Sequence, residues 1–252
     1  MDIYDEMIDS CRRIAASFPD PRFYESCASQ LTDSRRIYEQ ASLVARCRKA
    51  VSRDLARNPS HGLDHAERVA VEAGALILAE GARIGLEASD AFEAAVLAQV
   101  AGLLHDMRRG SEDHASSGAI AAGSLLDNLG VPEKDRQYVV QAIANHEAFV
   151  EPPIIIVSAV GKLVSDALYD ADKFRWGPDN FTVTLWEMLR FAGAPVVAVI
   201  PRFPEAMEGI ARIKGTFRSH GGRVFGPEFI DLGLSIGNRI YDFLLERFGP
   251  SG

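Results

Sequence analysis

The chain has 252 residues, of which 47% are hydrophobic and 25% are charged, and its formal net charge is −8. This composition suits a protein that buries a sizeable core, and the acidic excess disfavours non-specific binding to nucleic acid polymers or anionic membranes. There is no run of about 18 apolar residues, so we expect no membrane-spanning helix. The acidic start lacks the basic-then-apolar order of a signal peptide, and we therefore expect a cytoplasmic protein.

Apolar side chains recur at helical spacing along most of the chain, and glycine and proline mark the breaks between the periodic stretches. The predicted helices span residues 2–17, 34–56, 64–80, 88–107, 115–129, 133–147, 154–171, 182–191, 203–213 and 227–247. The one β-branched run, Ile154 to Val157, follows two prolines and continues at helical spacing into Val160, so we assign it to a helix start. Ten helices and no convincing strand predict an all-α protein.

Histidines and aspartates extend the inward apolar faces of five predicted helices. In chain order they are His65, His105 with Asp106, His114, His146 and Asp172. Burying such groups costs several kcal/mol unless they are paired or bind a metal. One such residue alone is most simply a satisfied core residue. Five helices contributing together favour a metal site, because imidazole and carboxylate are the usual ligands of divalent ions such as zinc.

His105 and Asp106 pose a geometric difficulty, because adjacent residues of a helix do not share a face. The two side chains can still converge on one ion if that ion sits beside the helix edge, between their directions. Asp106 could then reach a second ion with its other oxygen.

The order His65, His105-Asp106, Asp172 resembles the signature of the HD superfamily of metal-dependent phosphohydrolases. The matching segments are His65-Ala-Glu-Arg-Val-Ala, Ala101-Gly-Leu-Leu-His-Asp and Asp170-Ala-Asp-Lys. The resemblance covers residues 59–175. It favours Asp172 over Asp170 as the closing ligand, because Asp172 follows alanine and precedes a basic residue. We expect Asp170 to be a solvated carboxylate or a support for a ligand.

The resemblance implies an HD-domain helical bundle over residues 59–175 within a single helical domain. An N-terminal helical extension would occupy residues 1–58, and C-terminal helices over residues 176–252 would pack on the core. The implied cofactor is one or two divalent ions, drawn from Mn, Fe, Co, Ni, Zn or Mg. The implied ligands of the first ion are His65, His105, Asp106 and Asp172. His114 and His146 match the extra histidines of two-metal members; with one ion, they would instead bind substrate phosphate or water.

The activity implied by the resemblance is hydrolysis of a phosphate ester of a small metabolite by metal-activated water, with a nucleotide as the leading guess. Asp106 is the expected bridging carboxylate, and Asp172 also orients the water. Arg109 is the candidate cation for the reacting phosphate. Further candidates for substrate binding are Arg68, Arg108 and Lys173, and each cation has a surface ion pair as its alternative. Glu147 is a candidate support for a ligand histidine.

Several alternatives stay open. Residues 173–181 combine aromatic and basic side chains, which predicts either a nucleobase-stacking segment or a packed turn. The absence of a Gly-Tyr-Pro signature argues against a cyclic dinucleotide phosphodiesterase. A di-iron HD-fold oxygenase and a non-catalytic metal- or nucleotide-binding sensor are the competing functions. The expected partner is a small phosphorylated substrate. The chain would be a monomer or a homodimer, since the apolar face of the last helix serves intramolecular packing or a dimer contact.

Overall fold

A computed structural model describes residues 2–55, 62–151 and 154–249, and all of their side chains except those of residues 53–55. The structure is 78% helical, and no strand occurs among the described residues, which confirms the all-α prediction. The α-helices are α1 (Ile3–Ala15), α2 (Phe23–Ser26), α3 (Ala28–Gln40), α4 (Ser42–Leu55), α5 (Leu63–Ile84), α6 (Ala88–Leu104), α7 (His114–Asn128), α8 (Glu133–Ala144), α9 (Ala159–Phe174), α10 (Leu185–Phe191), α11 (Phe203–Ile213) and α12 (His220–Phe248). A π-helical turn at Asn180–Thr184 precedes α10, and a 3₁₀ helix at Val196–Arg202 precedes α11.

Helices α5 and α6 form the centre of the bundle, and α9 packs against both of them. The apolar stripe of α5 is buried, with Val69, Ala73 and Ile77 fully inaccessible. The two central helices approach closely at Gly102, where an added Cβ would lie 2.7 Å from the backbone of Ala70. This approach brings the end of α6 beside the start of α5, because the two helices run in opposite directions at that point.

The predicted helix 34–56 is two helices, α3 and α4, separated at Ala41. The backbone of Ala41 is extended, with φ −71° and ψ 118°. The break allows α3 to pack against α5 while α4 packs against α6. Buried polar contacts fix α3 in place, since Ser34 Oγ donates to the carbonyl of Val71 at 2.7 Å and Gln99 Nε2 donates to the carbonyl of Ser34 at 2.7 Å. The predicted boundary between residues 58 and 59 lies outside the described residues.

Several helices end or begin elsewhere than the periodicity indicates, and three of them border the candidate site. Helix α6 ends at Leu104 and α8 ends at Ala144, each three residues earlier than predicted. Helix α9 begins at Ala159 rather than at residue 154, because Ser158 Oγ accepts a hydrogen bond from Gly161 N at 3.3 Å and caps the helix. Residues 154–158 are not helical, and Pro152 and Pro153 lie outside the described residues.

The last helix, α12, begins at His220 rather than at residue 227 and includes Gly221, Gly222 and Pro227. Asp170 fixes the start of this helix. Its side chain is fully buried, so the prediction of a solvated carboxylate is wrong. The Asp170 carboxylate accepts from Arg218 N at 2.8 Å and from Ser219 N at 2.7 Å. Two donated backbone N–H groups satisfy this buried carboxylate, although burial still raises its pKa to about 6.

The apolar face of α12 is covered within the chain. Phe229, Ile236 and Ile240 are buried, and α12 packs against α9 and α11. Intramolecular packing therefore accounts for these three apolar side chains, and a dimer contact by the rest of the face stays a prediction.

None of the described helices has, on its own, the length and apolarity needed to cross a membrane. The segments Asn180–Phe191 and Val196–Ile213 meet those criteria only when taken together, and they are bent by 116° relative to each other.

Gly222→Ala is expected to destabilise the protein, because the added Cβ would overlap the Asp170 carboxylate. Overpacking of this kind costs about 1–3 kcal/mol in the free energy of unfolding. Gly209→Ala is the matched control, since it lies within α11 and a Cβ there meets nothing within 4 Å. That control should gain up to about 1 kcal/mol from helix propensity. Chemical denaturation measures both, and equal stabilities would contradict the close contact between Asp170 and α12.

Candidate metal centre

Side chains from three helices converge where α5 begins and where α6 and α9 end. His65 Nε2 lies 3.3 Å from His105 Nε2 and 3.9 Å from Asp106 Oδ2. His105 Nε2 lies 3.4 Å from Asp106 Oδ2 and 3.5 Å from Asp172 Oδ1. The remaining measured distance, between His65 Nε2 and Asp172 Oδ1, is 3.6 Å. We call these four residues the first group.

The distances within the first group fit a tetrahedral metal site. Four ligands placed about 2.0–2.2 Å from an ion lie about 3.3–3.6 Å from one another. Five of the six separations among these ligand atoms run from 3.3 to 3.9 Å. Two imidazole nitrogens and two carboxylate oxygens are a donor set that suits borderline divalent ions. The first group could therefore hold one such ion.

The end of α6 explains how adjacent residues share one site. Helix α6 stops at Leu104, so His105 is its C-cap and Asp106 lies in the turn that follows. Tighter turns continue from there, since Met107 N donates to the carbonyl of Leu104 at 3.1 Å. The expected conflict between neighbouring residues of a helix therefore does not arise, and both side chains reach the same ion position.

Backbone carbonyls at helix ends orient two of the histidines. His105 Nδ1 lies 2.8 Å from the carbonyl of Gly102, and His146 Nδ1 lies 2.6 Å from the carbonyl of Ile143. The last carbonyls of a helix have no partner within that helix. A carbonyl only accepts, so Nδ1 is the donor in each ring and a neutral ring keeps its Nε2 lone pair for an ion.

A second group consists of Asp106, His114 and His146, whose ligand atoms all lie within 4.8 Å of one another. His146 Nε2 is 4.0 Å from Asp106 Oδ1. Asp106 thus belongs to both groups and faces the first with Oδ2 and the second with Oδ1. Glu147 contacts the other histidine of this group, since His114 Nδ1 lies 3.1 Å from Glu147 Oε1. The six predicted ligands are therefore brought together as two groups that share one carboxylate.

The predicted substrate-binding cations are placed differently from one another. Arg109 borders the second group, with Nη1 2.9 Å from His114 Nε2. Lys173 is only 5% exposed and donates to Asp172 Oδ2 at 2.6 Å, so it fixes that carboxylate rather than facing a substrate. Arg68 is paired with Asp179 at 3.2 Å. Arg108 is exposed on the turn after the His-Asp pair.

The aromatic and basic segment 173–181 is largely a packed turn. Phe174 is fully buried and stacks on Phe229 with ring centroids 4.2 Å apart. Arg175 Nη2 lies 2.6 Å from Glu72 Oε2 in a buried ion pair, and Phe181 is buried. These side chains are committed to the core and its ion pairs, and they do not offer a surface for stacking a nucleobase.

Burial and neighbouring charges together set the pKa values of the His and Asp side chains in the two groups. Burial alone would favour a neutral His105, but the carboxylates of Asp106 and Asp172 outweigh it and raise the pKa of His105 to about 10. Burial and the charge of His105 lower the pKa of His146 to about 3. Lys173 and the neighbouring histidines overcome the effect of burial and hold the pKa of Asp172 well below its usual range. His105 is therefore the group that binds a proton at neutral pH, and an ion must displace that proton.

Comparisons of the chain with protein-family models, with curated proteins and with solved structures find no match. The candidate metal site accordingly rests on geometry alone, and membership of the HD superfamily stays a prediction from the motifs.

Binding of a divalent ion is expected to release about one proton at neutral pH, because the ion takes the Nε2 position that His105 protonates with a pKa of about 10. Raising the pH removes the competing proton, so affinity should increase about tenfold per pH unit from about pH 7 to pH 9. Calorimetric titration with Mn²⁺ in buffers of different protonation enthalpy counts the released proton.

His220→Ala is the control for this titration, because His220 is exposed at the start of α12. Its proton release should match that of the unaltered chain. Metal binding without proton release would contradict the raised pKa of His105.

Proposed function

We propose that this chain is a metal-dependent phosphohydrolase that cleaves a phosphate ester of a small metabolite. The observation that carries the proposal is the first group, in which five of the six separations among the His and Asp ligand atoms are 3.3 to 3.9 Å. These are the same four residues whose order in the chain resembles the HD motifs. Sequence order and spatial grouping thus support the proposal independently of each other.

A divalent ion bound by the first group would lower the pKa of a coordinated water and polarise a phosphoryl oxygen. The chain's own residues supply the rigidity that this chemistry needs. The carbonyl of Gly102 holds the ring of His105, and Lys173 holds the outer oxygen of Asp172, so each ligand keeps its direction. Asp106 joins the two groups and thereby sets the distance between them.

Local cations must attract the phosphate, because the chain as a whole is acidic, with a net charge of −8. Arg109 is the cation beside the centre, and its side chain is 39% exposed. A guanidinium can pair with two phosphoryl oxygens at once, which both binds and orients the group. We therefore propose Arg109 as the residue that contacts the substrate phosphate.

The proposed substrate class is small phosphate esters, and a nucleotide is one member of that class. Phe174 and Phe181 are buried and do not serve a nucleobase. Trp176, which is 37% exposed, is the aromatic side chain of the segment that remains accessible. The panel of substrates should accordingly include sugar phosphates as well as nucleotides.

Asp106→Ala is expected to reduce phosphate release by at least about 1,000-fold, because it removes the ligand shared by both groups and with it the transition-state stabilisation of a bound ion. The measurement is phosphate release from a panel of nucleotides and sugar phosphates with Mn²⁺ or Co²⁺, together with metal content. Circular dichroism should show retained helicity. Asp90→Ala is the control, since Asp90 is exposed in the first turn of the same helix that leads to Asp106.

Two other outcomes of the same measurements would replace the proposal. Bound iron with an oxygen-dependent reaction and no phosphate release would identify an oxygenase. Intact metal binding with no turnover, but with stabilisation of the fold by a nucleotide, would identify a sensor. Full activity of Asp106→Ala would refute the metal-centred mechanism itself.

A further inference from the structure

Arg109 lies where a second ion would have to bind. Its Nη1 is 2.9 Å from His114 Nε2 and 3.8 Å from Asp106 Oδ1. Asp106 Oδ1 faces His146 of the second group, and His114 belongs to the same group. A positively charged N–H group thus already contacts two of the three residues that would hold a second cation.

The chemistry of the contact specifies the state of His114. A guanidinium donates hydrogen bonds and never accepts them, so His114 Nε2 must be the unprotonated nitrogen. The Nδ1 atom then carries the proton and points it at Glu147 Oε1, 3.1 Å away. This is the tautomer of a metal-ligating histidine with a carboxylate behind it. Arg109 therefore takes the very lone pair that a metal ion would take.

The first group has a different relation to its neighbouring cation. Lys173 donates to Asp172 Oδ2, which is the oxygen directed away from the histidines, while Asp172 Oδ1 faces His65 and His105. Lys173 therefore supports a ligand of the first group without competing for it. The two groups differ in this respect, although they share Asp106.

We infer that Arg109 acts as a competing cation for the second metal position and makes the second ion conditional. The first group binds an ion tightly, and the second binds one only when the guanidinium has moved away. The side chain of Arg109 is 39% exposed, so it can rotate outward without disturbing the core. This inference rests on the metal centre of the proposed function and concerns how many ions that centre holds.

Titration of the metal-free, full-length chain with Mn²⁺ tests the inference, with calorimetry for the affinities and electron paramagnetic resonance for the coupled ion pair. The unaltered chain should bind a first ion tightly and a second at least about tenfold more weakly. Arg109→Gln removes the charge and should lower the second Kd about tenfold or more, which is about 1.4 kcal/mol. The first Kd should change by less than about threefold, because the competition is confined to the second group.

Two further variants separate competition from a general effect of charge. Arg108→Gln removes the same charge from the neighbouring exposed position and should titrate like the unaltered chain. His114→Ala removes a ligand of the second group and should bind one ion, whether Arg109 is present or replaced by glutamine.

An unchanged or weaker second ion in Arg109→Gln would overturn the inference, as would equal affinities for two ions in the unaltered chain. In both cases the first ion still binds, so the proposed metal centre survives. Failure of every variant and of the unaltered chain to bind Mn²⁺ would instead refute the metal centre, and this inference with it.

Discussion

The meeting of six polar side chains at several helix ends, four of them buried and two partly buried, is the constraint that shapes this protein. Each of these groups would cost several kcal/mol if it were buried without a partner. Backbone carbonyls at helix ends provide partners for two of these groups, and charged side chains provide partners for others. The carbonyls of Gly102 and Ile143 take the Nδ1 protons of two histidines, and they are available because α6 and α8 stop one residue or two before the ligands. Lys173 satisfies the outer oxygen of Asp172. The points at which α6 and α8 end therefore determine where the candidate metal site lies.

The last turns of α9 connect this centre to the rest of the bundle. Asp172 faces the histidines, while Asp170, two residues earlier, accepts the backbone N–H groups that precede α12. Arg175 lies one turn further on and pairs with Glu72 of α5, to which Tyr24 also donates at 3.0 Å. One stretch of helix thus holds a ligand, the start of the C-terminal helix and a contact to the N-terminal helices. A shift of α9 would disturb all three, so the N-terminal helices and α12 help to hold the candidate ligands in place.

Two cations beside the candidate metal site have different roles. Lys173 supports a ligand, and Arg109 is proposed to compete with an ion. The carboxylates of Asp106 and Asp172 raise the pKa of His105, so an ion bound at Nε2 would have to displace a proton. Lys173 is buried and binds the outward oxygen of a ligand, whereas Arg109 is partly exposed and binds the inward nitrogen of another. A buried cation cannot leave its place cheaply, but a partly exposed arginine can exchange partners with an anion. The proposed phosphohydrolase chemistry makes use of this difference, since a phosphate ester offers Arg109 such an anion.

Local patterns in the sequence were sufficient to predict an all-α protein and to select His65, His105, Asp106, His114, His146 and Asp172 as one set. Helical periodicity and the cost of burying polar groups are both readable from residues a turn apart. The break at Ala41 was not readable, because no glycine or proline marks it and the packing of α3 on α5 and of α4 on α6 decides it. The start of α12 was not readable either. Gly221 and Gly222 are typical of a loop, but they lie in the first turn of the helix, whose N-terminus is fixed by the buried Asp170. The sequence likewise did not show that Lys173 binds Asp172 or that Arg68 pairs with Asp179. A cation chooses among partners that only the folded chain brings within reach, so its role depends on tertiary structure, whereas the inward face of a helix is already present in its sequence.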